Sequence, residues 1–165
     1  MQAELILDAR CGTGESPVWS VEEQALYWVD IPACQLHRID PASGAHKVWT
    51  GDEMLACVAP RAGHPGQWIA GMESGLFAIA TQENGTLAAT PVANVAHALP
   101  GMRFNDGRCD RQGRFWAGTM LMDMAAAREV RCSRAHTPRP TRGPRPCPSP
   151  SCPRESGLGG RSGRR

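Results

Sequence analysis

Strand-like segments recur along most of this chain, and a tryptophan marks each recurrence. Trp28, Trp68 and Trp116 are 40 and 48 residues apart, and each follows a turn of polar or glycine-rich sequence. A repeat of about 40–50 residues that holds about four short strands is typical of one blade of a β-propeller. Three tryptophans also recur by chance in β-sandwiches, so the spacing alone leaves both architectures open.

The segments between the tryptophans have the patterns of short strands and tight turns. Residues 35–40 alternate polar and apolar side chains, as a half-buried strand does. Residues 41–44 indicate a turn in which Gly44 is free to adopt a positive φ, and residues 46–49 resume the strand pattern. Residues 1–124 contain no long helical pattern, so we predict an all-β fold.

The composition changes after residue 130. Residues 131–165 contain nine arginines and seven prolines but no aromatic residue, and their only large aliphatic side chain is Leu158. Such a segment buries too little apolar surface to offset the entropy lost on ordering. We therefore predict a folded part over residues 1–130 and a disordered, Arg/Pro-rich C-terminal tail over residues 131–165.

Charge and composition restrict the partners. Residues 1–130 have nine basic and fifteen acidic side chains, a net charge of −6, which argues against nucleic acid as their partner. No segment approaches the roughly 18 apolar residues of a membrane span, and the N-terminus lacks the pattern of a signal peptide. Seven scattered cysteines without a C-x-x-C pair indicate neither a zinc ribbon nor a disulfide framework. We expect a cytoplasmic protein that does not bind membranes.

Two polar clusters are candidate sites. Glu15 lies between glycine and proline just before an apolar segment, which suits either a solvated turn or an oxygen ligand. In an extended strand, Arg103 and Asn105 would lie on one face and Phe104 on the other. Two such polar groups suit an oxygen-rich ligand or a metal bound through a carbonyl oxygen. The Asn-Asp-Gly sequence at 105–107 is also a good turn.

The remaining polar residues have structural interpretations. Asp110 and Gly113 are expected to shape the turn before Trp116. The histidines without a partner at metal-ligand spacing are His37, His46, His64 and His97. The cysteines expected to be small buried hydrophobes are Cys11, Cys34, Cys57 and Cys109.

Three motifs in order carry a family resemblance: GESPVW at 14–19, YWVDI at 27–31 and RFNDGRCDRQGRFWAGTM at 103–120. Over residues 4 to about 130 the chain resembles the SMP-30/gluconolactonase family, which includes regucalcin. The resemblance implies part of a six-bladed β-propeller, with fewer than three blades present. It also implies one divalent ion (calcium, zinc, magnesium or manganese) and the hydrolysis of sugar lactones such as gluconolactone.

The resemblance also implies roles for single residues. Glu15 matches the family's first metal ligand, Arg103 and Asn105 match residues that face the substrate, and Asp123 lies where some members have an acid near the substrate. The family takes an Asn ligand and an Asp ligand, the latter its proposed general base, from later blades. This sequence has no Asn after Asn105 and no Asp after Asp123. We therefore assign no catalytic base and expect little or no activity from the chain.

The tail has two interpretations. Its Arg, Pro, Cys, Ser and Gly content is typical of GC-rich coding sequence read in a shifted frame, which predicts a domain truncated near residue 130. The alternative is a genuine basic interaction tail, which would bind nucleic acid. Two other functional hypotheses stay open: a non-enzymatic, calcium-binding regucalcin-like protein, and the functionless product of a decaying gene.

Overall fold

The computed structural model describes residues 2–123 and 131–134 of the chain. These residues form eleven β-strands in three antiparallel sheets, without a helix. In the part of the chain so described, no helix is long and apolar enough to cross a membrane. The predicted all-β fold is confirmed.

Consecutive strands pair with one another in each sheet. The first sheet has the order β1 (Gly14–Ser20), β2 (Ala25–Asp30), β3 (Gln35–Ile39) and β4 (His46–Thr50). The second has the order β5 (Leu55–Pro60), β6 (Gln67–Met72), β7 (Gly75–Thr81) and β8 (Leu87–Asn94). In the third sheet the middle strand is β10 (Phe115–Leu121), flanked by β9 (Met102–Cys109) and β11 (Arg131–Arg134).

The three sheets lie side by side, with their first strands adjacent. β1 packs against β5, and β5 packs against β9. Successive meanders whose first strands gather in this way are the blades of a β-propeller. The described residues therefore form two four-stranded blades and three strands of a third, and the prediction of a partial propeller is confirmed.

Apolar side chains fill both interfaces between the blades. Between blades 1 and 2, the rings of Tyr27 and Trp68 pack with their centroids 4.5 Å apart. Between blades 2 and 3, Phe104 and Phe115 are each only 1% exposed. Removing these faces from water is the main driving force for stacking one blade on the next.

β5 lies at the centre and contributes to both interfaces. Leu55 and Val58 belong to the cluster shared with blade 1, whereas Ala56, Cys57 and Ala59 belong to the cluster shared with blade 3. A strand buried on both faces is a continuous apolar run without alternation. For this reason the alternating pattern that revealed other strands did not reveal β5.

The tryptophan repeat corresponds to a structural repeat. Trp28, Trp68 and Trp116 lie on β2, β6 and β10, the second strand of each blade. Residues 131–134, which follow the predicted boundary at residue 130, form β11 and pair with residues 116–119 of β10. The predicted disorder and frameshift over residues 135–165 lie outside the described residues.

The turn between β9 and β10 is built around Asp110. Its carboxylate accepts hydrogen bonds from Trp116 Nε1 at 2.9 Å, from Arg114 Nε, and from the backbone N–H groups of Gln112 and Arg114. These donors, the Trp116 indole first, hold the pKa of Asp110 well below its usual range. Gly113 adopts a φ of 75° in the same turn, and both residues have the structural role predicted for them.

Asp110→Asn is expected to remove a contribution to stability that depends on pH. The pKa of Asp110 is lower in the folded chain than in the unfolded chain, where it is about 3.9. The contribution is therefore complete above about pH 5 and is lost as the pH falls through the folded pKa. Urea unfolding should show a midpoint difference between the wild type and the variant that is constant from pH 7 to about pH 5 and shrinks below it. A difference that persists unchanged to pH 2 would contradict this explanation.

A glycine allows the close approach of blade 3 to blade 2. A Cβ on Gly107 would lie 2.8 Å from Cys57 Sγ and 2.8 Å from the Trp116 carbonyl oxygen. Both distances are too short, and the second contact is with backbone, which cannot turn away. Gly107 is therefore required by the packing of β9 on β5.

Gly107→Ala is expected to lower the free energy of unfolding by about 1–3 kcal/mol, the range found for overpacked cores. Gly118→Ala on the neighbouring strand is the matched control, because a Cβ there meets nothing nearer than the Asp106 carbonyl oxygen at 3.9 Å. The control should change stability by less than about 0.5 kcal/mol. Equal effects of the two substitutions in urea denaturation would show that the close approach is unimportant.

Candidate functional site

The first strand of each blade, called its central strand below, has an irregularity in its pairing. The register shifts between Glu15 and Val18 in β1, between Leu55 and Cys57 in β5, and in β9 opposite Ala117 and Thr119. In β9 the extra residues are 105 and 106, since Phe104 and Gly107 still have partners on β10. Bulges of this kind bend a strand and redirect its side chains, and they are common beside active sites.

Glu15 immediately precedes the bulge of β1. The extra residues are Ser16 and Pro17, and Ser16 has a positive φ of 53°. The Ser16 hydroxyl is buried and accepts a hydrogen bond at 3.2 Å from the backbone N–H of Val58 in β5. This bond fixes the start of β1 to the next blade and so defines the position of the half-buried Glu15.

Arg103 and Asn105 form a hydrogen-bonded pair at the bulge of β9. Nη1 of Arg103 donates to Oδ1 of Asn105 at 3.2 Å and to the carbonyl oxygen of Phe104 at 2.7 Å. Both side chains are half-buried, while Phe104 packs into the core on the other face, as the alternation of a strand requires. The pair holds the guanidinium in one orientation and leaves the amide N–H₂ of Asn105 able to donate to a ligand.

Asp123 lies at the same end of blade 3. It is exposed and follows β10, and the backbone N–H of the preceding residue, Met122, donates to the Gly101 carbonyl oxygen at 2.9 Å. This bond places Asp123 beside the segment that leads into Arg103. The structure therefore brings three of the four candidate residues to one end of blade 3, with Glu15 at the start of the equivalent strand of blade 1.

Glu15 supplies one carboxylate, and a divalent ion needs several ligands. No group of three His, Cys, Asp or Glu side chains among the described residues includes Glu15. Calcium takes six to eight oxygen ligands, and a catalytic zinc ion takes three protein ligands. Glu15 therefore suits one position of such a site, and the carboxylate, imidazole and thiol groups of the described residues do not complete a set of three with it.

A different group of potential ligands was missed at the sequence level. Ligand atoms of Cys11, Asp30 and His37 lie within 4.8 Å of one another on blade 1. Burial lowers the pKa of His37, and the nearby His46 lowers it further. The residues come from three separate segments, so no local spacing motif could have revealed them.

The cysteines differ from the expectation that all four are buried. Of these four, only Cys57 is fully buried, and burial raises the pKa of its thiol to about 12, which disfavours the nucleophilic thiolate. Cys11 and Cys34 are half-buried, and Cys109 is exposed at the end of β9. These three lie at strand ends and loops, where the core does not cover them.

Fold and site together define a class: a β-propeller with oxygen-bearing side chains at bulges of its central strands. The comparison with known families is more specific. The profile described as SMP-30/Gluconolactonase/LRE-like region matches residues 13–139, and the chain belongs to this family. The resemblance seen in the three sequence motifs is confirmed.

Two relatives of the chain are named as lactonases. A 6-deoxy-6-sulfogluconolactonase of Pseudomonas putida is 44% identical over 108 residues, which cover 65% of this chain and 35% of the relative. A pentonolactonase of Haloferax volcanii is 34% identical over 131 residues, which cover 79% of this chain and 42% of the relative. The chain thus spans between a third and a little over two fifths of the length of these relatives.

A solved structure supports the fold. The crystal structure of a protein described as a calcium-binding regucalcin, from Agrobacterium tumefaciens, matches with a TM-score of 0.59 and 28% identity. The match covers 68% of this chain and 36% of that protein. The likeness therefore extends over the blades described above.

Proposed function

We propose that the described blades are the N-terminal part of a metal-dependent hydrolase of sugar lactones, of the gluconolactonase type. The observation that carries the proposal is the placement of Glu15 and of the Arg103–Asn105 pair beside bulges of equivalent strands. Relatives named as lactonases support the same reaction class. A sugar lactone is a cyclic ester with several hydroxyl groups, and polar side chains of these kinds suit its oxygens.

The proposed roles follow from the chemistry of each side chain. The carboxylate of Glu15 is a hard oxygen ligand for a divalent ion: calcium, zinc, magnesium or manganese. Such an ion, when bound, polarises an ester carbonyl and lowers the pKa of a bound water. Arg103 and Asn105 donate hydrogen bonds to the oxygens of the sugar ring, and Asp123 at the same end of the blade accepts from its hydroxyls.

Cytoplasmic localisation remains a prediction.

We further propose that this chain by itself has little or no lactonase activity. Glu15 is outside every group of three His, Cys, Asp or Glu side chains in the described residues, so no such group there holds the ion together with it. Binding of a sugar at Arg103 and Asn105 without a bound ion leaves the ester carbonyl without an electrophilic partner.

The purified chain is expected to hydrolyse gluconolactone no faster than buffer does in the presence of calcium, zinc, magnesium or manganese. Proton release followed by a pH indicator measures the rate. Glu15→Gln should leave this background unchanged. A metal-dependent rate that Glu15→Gln abolishes would show that the chain, or an assembly of its copies, completes the site.

A chimera tests whether these blades can serve a lactonase. Residues 1–123 replace the part of the Pseudomonas putida relative that they match, so that the remaining blades come from that enzyme. The chimera is expected to hydrolyse the relative's lactone, and Glu15→Gln in it should lower kcat/KM by at least about 100-fold, because removing even outer-shell partners of a metal costs 10–100-fold.

The matched control is Glu22→Gln, because Glu22 is an exposed carboxylate in the turn after β1. It should leave kcat/KM within about twofold of the chimera. Full activity of a folded Glu15→Gln chimera would sink the proposed metal role of Glu15.

A second candidate is a calcium-binding protein without lactonase activity. It is favoured by the regucalcin from Agrobacterium tumefaciens, which is described as calcium-binding. The same chimera separates the two candidates. The lactonase predicts that the chimera turns over the relative's lactone, whereas this candidate predicts calcium binding through Glu15 without turnover of any lactone.

A further inference from the structure

A buried carboxylate holds the segment before β1 against blade 1. Asp30, at the end of β2, is 5% exposed, and its two oxygens accept hydrogen bonds from the backbone N–H groups of Gly12 and Thr13, each at 3.0 Å. These bonds fold the segment over the sheet and bring Cys11 beside Asp30. The Cys11 Sγ also accepts a hydrogen bond at 3.3 Å from Trp28 Nε1.

The charge of Asp30 is not balanced by a neighbouring cation. The salt bridges of the described residues join Arg10 with Asp8, Arg38 with Glu23, and Arg114 with Asp110, and none of them includes Asp30. Buried charges in proteins are paired or coordinate a metal. An ionised carboxylate has about four lone-pair positions, so two hydrogen bonds leave Asp30 able to bind a cation as well.

The ring of His37 completes the group. His37 is 4% exposed and stacks on Trp28 with the ring centroids 5.0 Å apart, which fixes the plane of the imidazole. Its Nδ1 lies 3.1 Å from His46 Nε2, and its Nε2 lies 3.2 Å from Gln35 Oε1. With one ring nitrogen on a metal, the other keeps an outer-shell hydrogen bond of the kind that orients histidine ligands.

We propose that Cys11, Asp30 and His37 form a binding site for a thiophilic divalent ion of the zinc type, separate from Glu15. Sulfur and imidazole nitrogen select zinc over calcium or magnesium, which prefer all-oxygen sites. The three ligand atoms lie within 4.8 Å of one another. They come closer by about 1 Å when they bind a tetrahedral ion, since zinc–ligand bonds are about 2.0–2.3 Å long.

The site fastens the segment before β1 to blade 1. Cys11 is four residues before Glu15, and Asp30 is paired with Gly14, the residue next to Glu15. A bound ion therefore adds a cross-link between the sheet and the start of β1. This role is structural and does not depend on the proposed lactonase function.

Cobalt(II) is a suitable probe, because a thiolate ligand gives it a charge-transfer absorption in the near ultraviolet. The full chain is used with Cys132, Cys147 and Cys152 replaced by serine, which removes the three thiols that follow Cys109 in the sequence. The expected result is an absorption that saturates with one cobalt ion per chain and that zinc displaces. Zinc should also raise the Tm.

Cys11→Ser is expected to abolish the absorption and the rise in Tm, and His37→Gln should weaken binding at least tenfold. Serine keeps an acceptor for Trp28, and circular dichroism checks the fold of each variant. The matched control is Cys109→Ser, which removes an exposed thiol on β9 and should change neither signal. Glu15→Gln should also leave both unchanged, which separates this site from the proposed catalytic one.

The proposal is overturned if no absorption appears, or if Cys109→Ser and Cys11→Ser reduce it equally. It is also overturned if Glu15→Gln removes the absorption while Cys11→Ser retains it.

Discussion

The stacking of blade on blade through apolar faces is the constraint on which the rest of the structure depends. β5 supplies side chains to both faces, and Cys57 lies so close to blade 3 that only a glycine fits at position 107. Because β1 packs against β5 and β5 packs against β9 in this way, the candidate residues lie on strands that occupy equivalent positions in their blades. The candidate site is a consequence of this packing and not of any single loop.

Backbone irregularity determines where the central strands place the candidate residues. A regular strand would direct successive side chains to opposite faces of its sheet. One face of β1 and one face of β9 are packed against blade 2. The bulges at Ser16–Pro17 in β1 and at residues 105–106 in β9 interrupt that alternation where polar groups are needed. The hydrogen bond from Val58 to Ser16 shows that such a bulge is itself anchored by the neighbouring blade.

Local sequence predicted much of the fold and the residues of the candidate site, and it failed where distant segments meet. The tryptophan repeat identified the second strands of the blades, because each of these strands follows a turn that the sequence reveals. β5 has no alternation, since both of its faces are buried. Cys11, Asp30 and His37 could not be grouped, because only the pairing of β2 with β3 and the hydrogen bonds of Asp30 bring them together. The roles of Glu15, Arg103, Asn105 and Asp123 remain predictions.

Among the described residues, only blade 2 is covered by a neighbour on each face, and this has a consequence for cooperativity. In an array where each unit contacts only its neighbours, stability is a sum of the units and of the interfaces between them. Blade 1 and blade 3 can then open independently, while blade 2 opens only when both interfaces are lost. Amide hydrogens of β5 and β6 should therefore report the global unfolding of the array, and those of β1 and β10 should report partial openings at its two sides.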